Sequence, residues 1–172
     1  VLGEHGVFRV LEHEMMPGSR QRRLDPYPVV TLELPDWVTV VALRTDGKVV
    51  LVRQLRYGTN APSLETPGGI VDAGESPLRA ARRELHEETG HRARRWRSLG
   101  WVFPNPSLQS NRLHMFLALD AYDDGPGAPD EAEGLEVERM PLIQIKSRMQ
   151  RGAVRHALSA LALARALDAL AP

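Results

Sequence analysis

Apolar positions fall into short runs with strand character over most of the chain and give way to helix in three stretches. Residues 7–16 are β-prone and predict a strand, residues 18–28 are polar and predict a loop, and residues 29–34 alternate until Pro35 and Asp36 end the run. Two longer apolar runs, 37–44 and 48–53, flank Thr45-Asp46-Gly47 and predict a hairpin. The period changes at residue 77, where Leu78, Ala81 and Leu85 recur as one face of a helix. Ser76 is its expected N-cap, Pro77 its first position and Gly90 its stop. Residues 99–103 and 113–120 read as strands on either side of the rigid turn Pro104-Asn105-Pro106-Ser107. Residues 123–134, rich in Asp, Gly, Pro and Glu, read as a loop before a strand over 135–140 and helices over 141–149 and 154–170. The expected architecture is a single mixed α/β domain over residues 1–172.

The helix after Ser76 carries an unusual polar face. Glu84, Glu87 and Glu88 stand at i, i+3 and i+4, so three carboxylates share one side. Like charges at this spacing cost about 0.2–0.5 kcal/mol per pair in an isolated helix, which a divalent cation would offset. The plainer alternative is a solvated face on which they pair with Arg79, Arg82 and Arg83. The preceding segment favours the cation, because Thr66-Pro67-Gly68-Gly69 and Asp72-Ala73-Gly74-Glu75 form a glycine-bearing loop that admits close backbone approach. Upstream, Arg53 and Arg56 lie three apart on a strand and point to opposite faces, so one of them is expected to face the cleft. A guanidinium fork suits phosphate oxygens, and a surface salt bridge is the alternative use.

Composition narrows the partners. The 22 basic and 22 acidic residues cancel, so no global field recruits nucleic acid or an anionic membrane, and any phosphate binding must be local. The basic run 91–97, with Trp96 inside it, can hold a nucleic-acid backbone but is more often a solvated edge. Without cysteine there are no disulfides or thiolate metal sites. No apolar run has the length of a membrane span and no signal peptide is visible, so a cytoplasmic protein is the expectation.

Residues 69–91 carry a resemblance to the Nudix hydrolases. That signature is Gly, five residues, Glu, seven residues, then Arg-Glu-aliphatic-any-Glu-Glu-any-Gly-aliphatic, met here by Gly69, Glu75, Arg83, Glu84, Leu85, Glu87, Glu88 and Gly90. His91 stands where the family prefers an aliphatic residue. Pro106, fifteen residues beyond His91, resembles the proline that marks the ADP-ribose pyrophosphatase branch.

The resemblance implies a Nudix-type α/β/α sandwich with a mixed sheet, plus N-terminal antiparallel strands over residues 1–35 that serve dimerisation or form a private hairpin. It implies Mg²⁺, with Mn²⁺ as the other choice, on Glu84, Glu87, Glu88 and the Gly68 carbonyl. Arg83 would pair with Glu75 and brace the loop. Glu131, then Glu133, are the candidates to activate the attacking water, with Glu88 as a further catalytic candidate. Arg56 would bind substrate, with Arg53, Pro106 and Arg112 as further candidates. The expected reaction is hydrolysis of ADP-ribose or a nucleoside diphosphate sugar to a nucleoside monophosphate and a sugar phosphate, by a homodimer acting on a small nucleotide. Two other readings stay open: a pyrophosphohydrolase of nucleoside triphosphates or RNA 5′ ends, and a Nudix-fold regulator that binds a metabolite without turnover.

Overall fold

The computed structural model describes residues 1–16, 25–128 and 134–171. The described residues form two sheets and three helices. The first sheet is β1 (Gly3–His5), β2 (Phe8–Met15) and β3 (Tyr27–Glu33), antiparallel in that order. The second contains β4 (Trp37–Arg44), β5 (Lys48–Arg56), β6 (Ala61–Glu65), β7 (His91–Val102), β8 (Leu113–Asp123) and β9 (Glu136–Pro141). Its order is β6-β5-β4-β8-β7, with β9 also paired to β5. Among the described strands β4 and β8 pair in parallel, at the centre of the sheet. The helices are α1 (Pro77–Thr89), α2 (Leu142–Gln150) and α3 (Ala157–Leu170).

The core divides into two layers because β4, β5 and β8 are buried on both faces. Val41, Val49, Leu51, Met115 and Leu117 face α2 and α3, where Ile145, Ala162, Leu163 and Ala166 meet them. Val38, Val40, Ala42, Val50, Phe116 and Ala118 face α1 and its Ala80, Ala81 and Leu85. A strand buried on both sides reads as a continuous apolar run, which is how 37–44 and 113–120 appear in sequence.

The structure departs from the periodic pattern in places with physical causes. The basic run 91–97 is the first half of β7, an edge strand whose arginines lie along its outside: Arg95 pairs with Asp120 at 2.8 Å, Arg92 with Asp124, and Arg94 sits over Tyr122. Strand β6 is absent from the periodic reading because Ala61-Pro62-Ser63 has little β propensity. Its five-residue register against β5 supplies the order instead. Helix α3 begins at Ala157 rather than 154, with His156 as its N-cap residue.

His91, at the position where an aliphatic residue was expected, is fully buried. Its Nδ1 lies 2.8 Å from the Thr89 carbonyl and so donates to it, and Nε2 accepts from Arg44 Nη1 at 2.9 Å. Burial pushes its pKa below the ordinary 6.5, and nearby Arg44 and Arg139 act in the same direction against Thr89 and Asp123. A base with a depressed folded pKa makes the unfolded state the stronger proton binder, so stability is lost as pH falls below about 6.5. Replacing His91 by Val should therefore flatten the decline in melting temperature between neutral and mildly acidic pH; an unchanged slope in the variant would contradict this.

Candidate active site

The site is assembled by the segment between β6 and α1. After Glu65 the chain runs beside β4: Val40 N–H donates to the Pro67 carbonyl at 2.8 Å, Val38 N–H to the Gly69 carbonyl at 2.9 Å, and Val71 N–H to the Asp36 carbonyl at 2.8 Å. The Thr39 and Thr66 hydroxyls are 2.6 Å apart beneath it. Gly68 has no room for a side chain, since a Cβ there would lie 2.2 Å from the Val38 carbonyl oxygen. Its N–H donates to Glu88 Oε2 at 2.9 Å, tying the loop to α1.

Helix α1 starts and stops as its sequence predicts. The Ser76 hydroxyl accepts from Arg79 N–H, Pro77 is the first residue, and Gly90 closes the helix in the left-handed region at φ 66°. With Ala80, Ala81 and Leu85 docked on the sheet, Glu84 and Glu88 are turned to the loop, and Glu88 is only 7% exposed. Arg83 holds the assembly together. Its Nη2 donates to Glu75 Oε2 at 3.0 Å and to the Ile70 carbonyl at 2.9 Å, while Nη1 donates to Glu84 Oε1 at 2.8 Å and Glu87 Oε2 at 3.1 Å. The Arg83 hydrogen bond holds the Glu75 carboxyl below the usual carboxylate range, outweighing desolvation, and the Arg83 pKa is raised in turn.

A cleft of about 800 Å³ opens beside this loop. Gly68, Gly69, Glu84 and Glu88 line it, as do Arg56, Glu65 and His156; Trp37, Ile70 and Leu158 supply apolar wall. Arg56 grips Glu65 with a two-pronged fork, Nε to Oε1 at 2.9 Å and Nη2 to Oε2 at 2.7 Å. Glu65 is 1% exposed, and burial alone would push its pKa up. Hydrogen bonds from Arg56, His156 and Ser63 outweigh that and hold it well below the usual range. One wall of the cleft is thus rich in carboxylate oxygens and another presents a guanidinium.

The other sequence candidates lie elsewhere. Arg53, on the opposite face of β5 from Arg56, lines a second cavity and donates to Glu138 at 2.6 Å. Glu87 does not line the cleft and is turned onto Arg83. Pro106 is exposed in the turn where Leu108 and Gln109 N–H groups donate to the Asn105 carbonyl. Arg112 lies 4.6 Å from the Trp101 ring centre, its N–H bound to Asp36. Glu131 and Glu133 lie outside the described residues. The chain approaches them along the end of α1, where Asp124 N–H donates to the Gly90 carbonyl at 2.8 Å and a Cβ at Gly127 would sit 2.6 Å from the Glu87 carbonyl oxygen. Sequence reading missed His156 and Ser159, which come from α3 some ninety residues after Glu65; no local pattern signals them.

Whether these residues suit a divalent ion rests on their donor set. Among the described residues no three carboxylates converge on a ready cage. The Arg83 guanidinium draws Glu84 and Glu87 to itself, and Gly68 N–H takes one Glu88 oxygen. The donors are nonetheless hard oxygens within one turn of a helix, and Glu84 packs on the bare Cα of Gly69, where a Cβ would fall 2.5 Å from its Oε1. A carboxylate cradle shaped by a glycine fits a Mg²⁺-type ion.

A family description, NUDIX domain, matches residues 34–161, well over half of the chain. The chain belongs to the Nudix family. Among its relatives, the ADP-ribose pyrophosphatase of Bacillus subtilis (strain 168) is 34% identical over 84 residues, 49% of this chain and 45% of that protein. The Escherichia coli (strain K12) protein named ADP compounds hydrolase NudE is 33% identical over 140 residues, 81% of this chain and 63% of that one. The chain thus spans less than two thirds of either relative's length. A crystal structure titled as an ADP compounds hydrolase superposes with a TM-score of 0.73 at 25% identity, covering 95% of this chain and 94% of its own. This Nudix chain therefore has the fold its motif implied, a mixed six-stranded sheet between helices, with the three-stranded antiparallel sheet added at its N-terminus.

The two adjacent glycines should respond differently to alanine. Gly68→Ala drives a Cβ into backbone and should destabilise the fold by about 1–3 kcal/mol. Gly69→Ala meets only the flexible end of Glu84 and should keep its melting temperature within a few degrees while weakening divalent-ion binding. Thermal melts with calorimetric metal titration check both; equal destabilisation by the two variants would contradict the geometry.

Proposed function

We propose that this Nudix chain is a metal-dependent pyrophosphatase that hydrolyses ADP-ribose or a nucleoside diphosphate sugar to a nucleoside monophosphate and a sugar phosphate. The observation that carries the reading is that Glu84, Glu88 and Gly68 share one cleft with Arg56. The relatives named as ADP-ribose pyrophosphatase and ADP compounds hydrolase support it.

The chemistry follows from charge. A diphosphate already carries negative oxygens that repel a nucleophile. Glu84, Glu87 and Glu88, with the Gly68 carbonyl, would hold Mg²⁺, with Mn²⁺ as the other candidate. When bound, such an ion supplies charge neutralisation at phosphate oxygens and a more acidic water. Arg56 donates to a phosphate oxygen, its orientation set by the buried Glu65. Glu131, with Glu133 as alternate, accepts the proton of the water as its oxygen bonds to phosphorus and the bridging P–O bond breaks. Arg83 keeps the loop on the helix and takes no part in bond making. Trp37, Ile70 and Leu158 exclude solvent from one side. Arg53, Pro106 and Arg112 lie off the cleft and do not enter this account, nor do Gly69, Glu75 and Gly90 beyond building the cradle.

A homodimer through the N-terminal sheet is supported by the exposed Val7, Met15, Tyr27 and Val30 there. Cytoplasmic residence is the companion expectation; among the described residues no helix is long and apolar enough to cross a membrane. The RNA-end reading loses its feature, because the arginine run lies along β7, paired with acids and outside the cleft lining.

The test is product release from ADP-ribose, nucleotide sugars, dinucleoside polyphosphates and nucleoside triphosphates, each with Mg²⁺, Mn²⁺ or chelator. Metal-dependent cleavage of ADP-ribose or a nucleotide sugar is expected. Binding without turnover across the panel would favour a regulator, and turnover of triphosphates alone would refute the substrate class. Glu88→Gln should lower kcat by more than about 100-fold with an unchanged fold. Glu131→Gln should cost less than Glu88→Gln, since Glu133 can assist; a larger loss from Glu133→Gln alone would reverse the order of those two residues.

A further inference from the structure

The guanidinium wall of the cleft contains a histidine with one ring nitrogen fixed and the other, among the described residues, uncommitted. His156 Nδ1 lies 2.9 Å from Glu65 Oε2 and 2.9 Å from the Ser159 hydroxyl oxygen. Glu65 is 1% exposed and held in its ionised form by Arg56, so it can only accept. Nδ1 therefore carries a hydrogen, and in the neutral ring Nε2 carries a lone pair. The Ser159 oxygen in turn accepts from Thr66 N–H at 3.1 Å, which ties the start of α3 to the loop that forms the cradle.

The ring itself lines the cleft and its side chain is 33% exposed. Among the described residues nothing hydrogen-bonds to Nε2. Glu65 and Gly68 are three residues apart, so at most about 11 Å of chain separates the histidine's anchor from the Glu88 contact. A group next to a diphosphate bound between Arg56 and the carboxylates falls within reach of this ring.

Resting on the function proposed above, we propose that His156 is a specificity-determining contact whose Nε2 accepts a hydrogen bond from a hydroxyl of the sugar attached to the nucleoside diphosphate. A phosphate oxygen that has lost its proton offers nothing to a lone pair, whereas a sugar hydroxyl donates. The ring discriminates a hydroxylated group on the diphosphate from none. Glu65 is the positioning residue for both neighbours: one carboxylate sets the Arg56 fork and the His156 tautomer together.

The test compares ADP-ribose with ADP, which lacks the second sugar, at mildly alkaline pH with Mg²⁺. His156→Ala should raise KM for ADP-ribose about 5- to 10-fold with kcat within about twofold, and leave inhibition by ADP unchanged. His156→Gln, which carries an amide oxygen to the reach of Nε2, should restore most of the affinity. His156→Asn, which can still donate to Glu65 but is too short, should not. An unchanged KM in His156→Ala would overturn the proposal. So would equal weakening of ADP and ADP-ribose, or rescue by Asn rather than Gln, because each assigns the ring to bracing Arg56 alone. Calorimetric binding of ADP-ribose and ADP to the same variants separates the two levels of inference. Wild-type protein that binds ADP-ribose five- to tenfold more tightly than His156→Ala, yet cleaves nothing, supports the contact while refuting the activity. Wild-type protein that does not bind ADP-ribose overturns both.

Discussion

The hydrogen bond from Gly68 N–H to Glu88, 2.9 Å long, joins the two halves of the site. On one side of it the loop after β6 is fastened to β4 by main-chain hydrogen bonds, with no space at Gly68 for a Cβ. On the other side α1 is fastened to the same sheet by Ala80, Ala81 and Leu85. Both partners are anchored on the same central strands, so the carboxylates are held against the loop without depending on flexible contacts. Arg83 adds a second link, reaching Glu75 and the Ile70 carbonyl across the same gap.

This arrangement separates charges that would otherwise cancel. Arg56 is held on one wall by a buried carboxylate, and the acidic face of α1 stands on the other, with only Thr66 and Pro67 between Glu65 and Gly68. In the function proposed for the chain, an anionic diphosphate would meet positive charge from both directions, directly at Arg56 and through a cation held by the carboxylates. Arg83 pairs with Glu84 and Glu87, which offsets part of the repulsion among the like charges on that helix face.

Helix α1 was almost wholly legible in sequence, because its cap, first proline, apolar stripe and terminal glycine are local signals that the sheet reinforces. The central strands were legible for the same reason, being buried on both faces. Three features were not. Strand β6 has weak propensity and exists because β5 supplies a partner. The placement of His156 depends on packing α3 against the loop through Ser159 and Thr66, a long-range contact with no periodic trace. The arginines at 91–97 had two open uses in sequence, and the acids Asp120 on the neighbouring strand β8 and Asp124 just after it decide between them. Of the two arginines on β5, the separation of three correctly implied opposite faces, and the contacts at Glu65 and Glu138 identify which wall each serves.

The proposed function turns on a divalent ion held by the carboxylates of α1 together with the diphosphate. Its most direct test is calorimetric titration of Mg²⁺ into the protein saturated with a non-hydrolysable ADP-ribose analogue, comparing wild type with Glu84→Gln and Glu88→Gln. Ligand-enhanced metal binding is expected in the wild type and should be strongly weakened in both variants, with their melting temperatures preserved. Metal binding of the same affinity and stoichiometry in all three would contradict it.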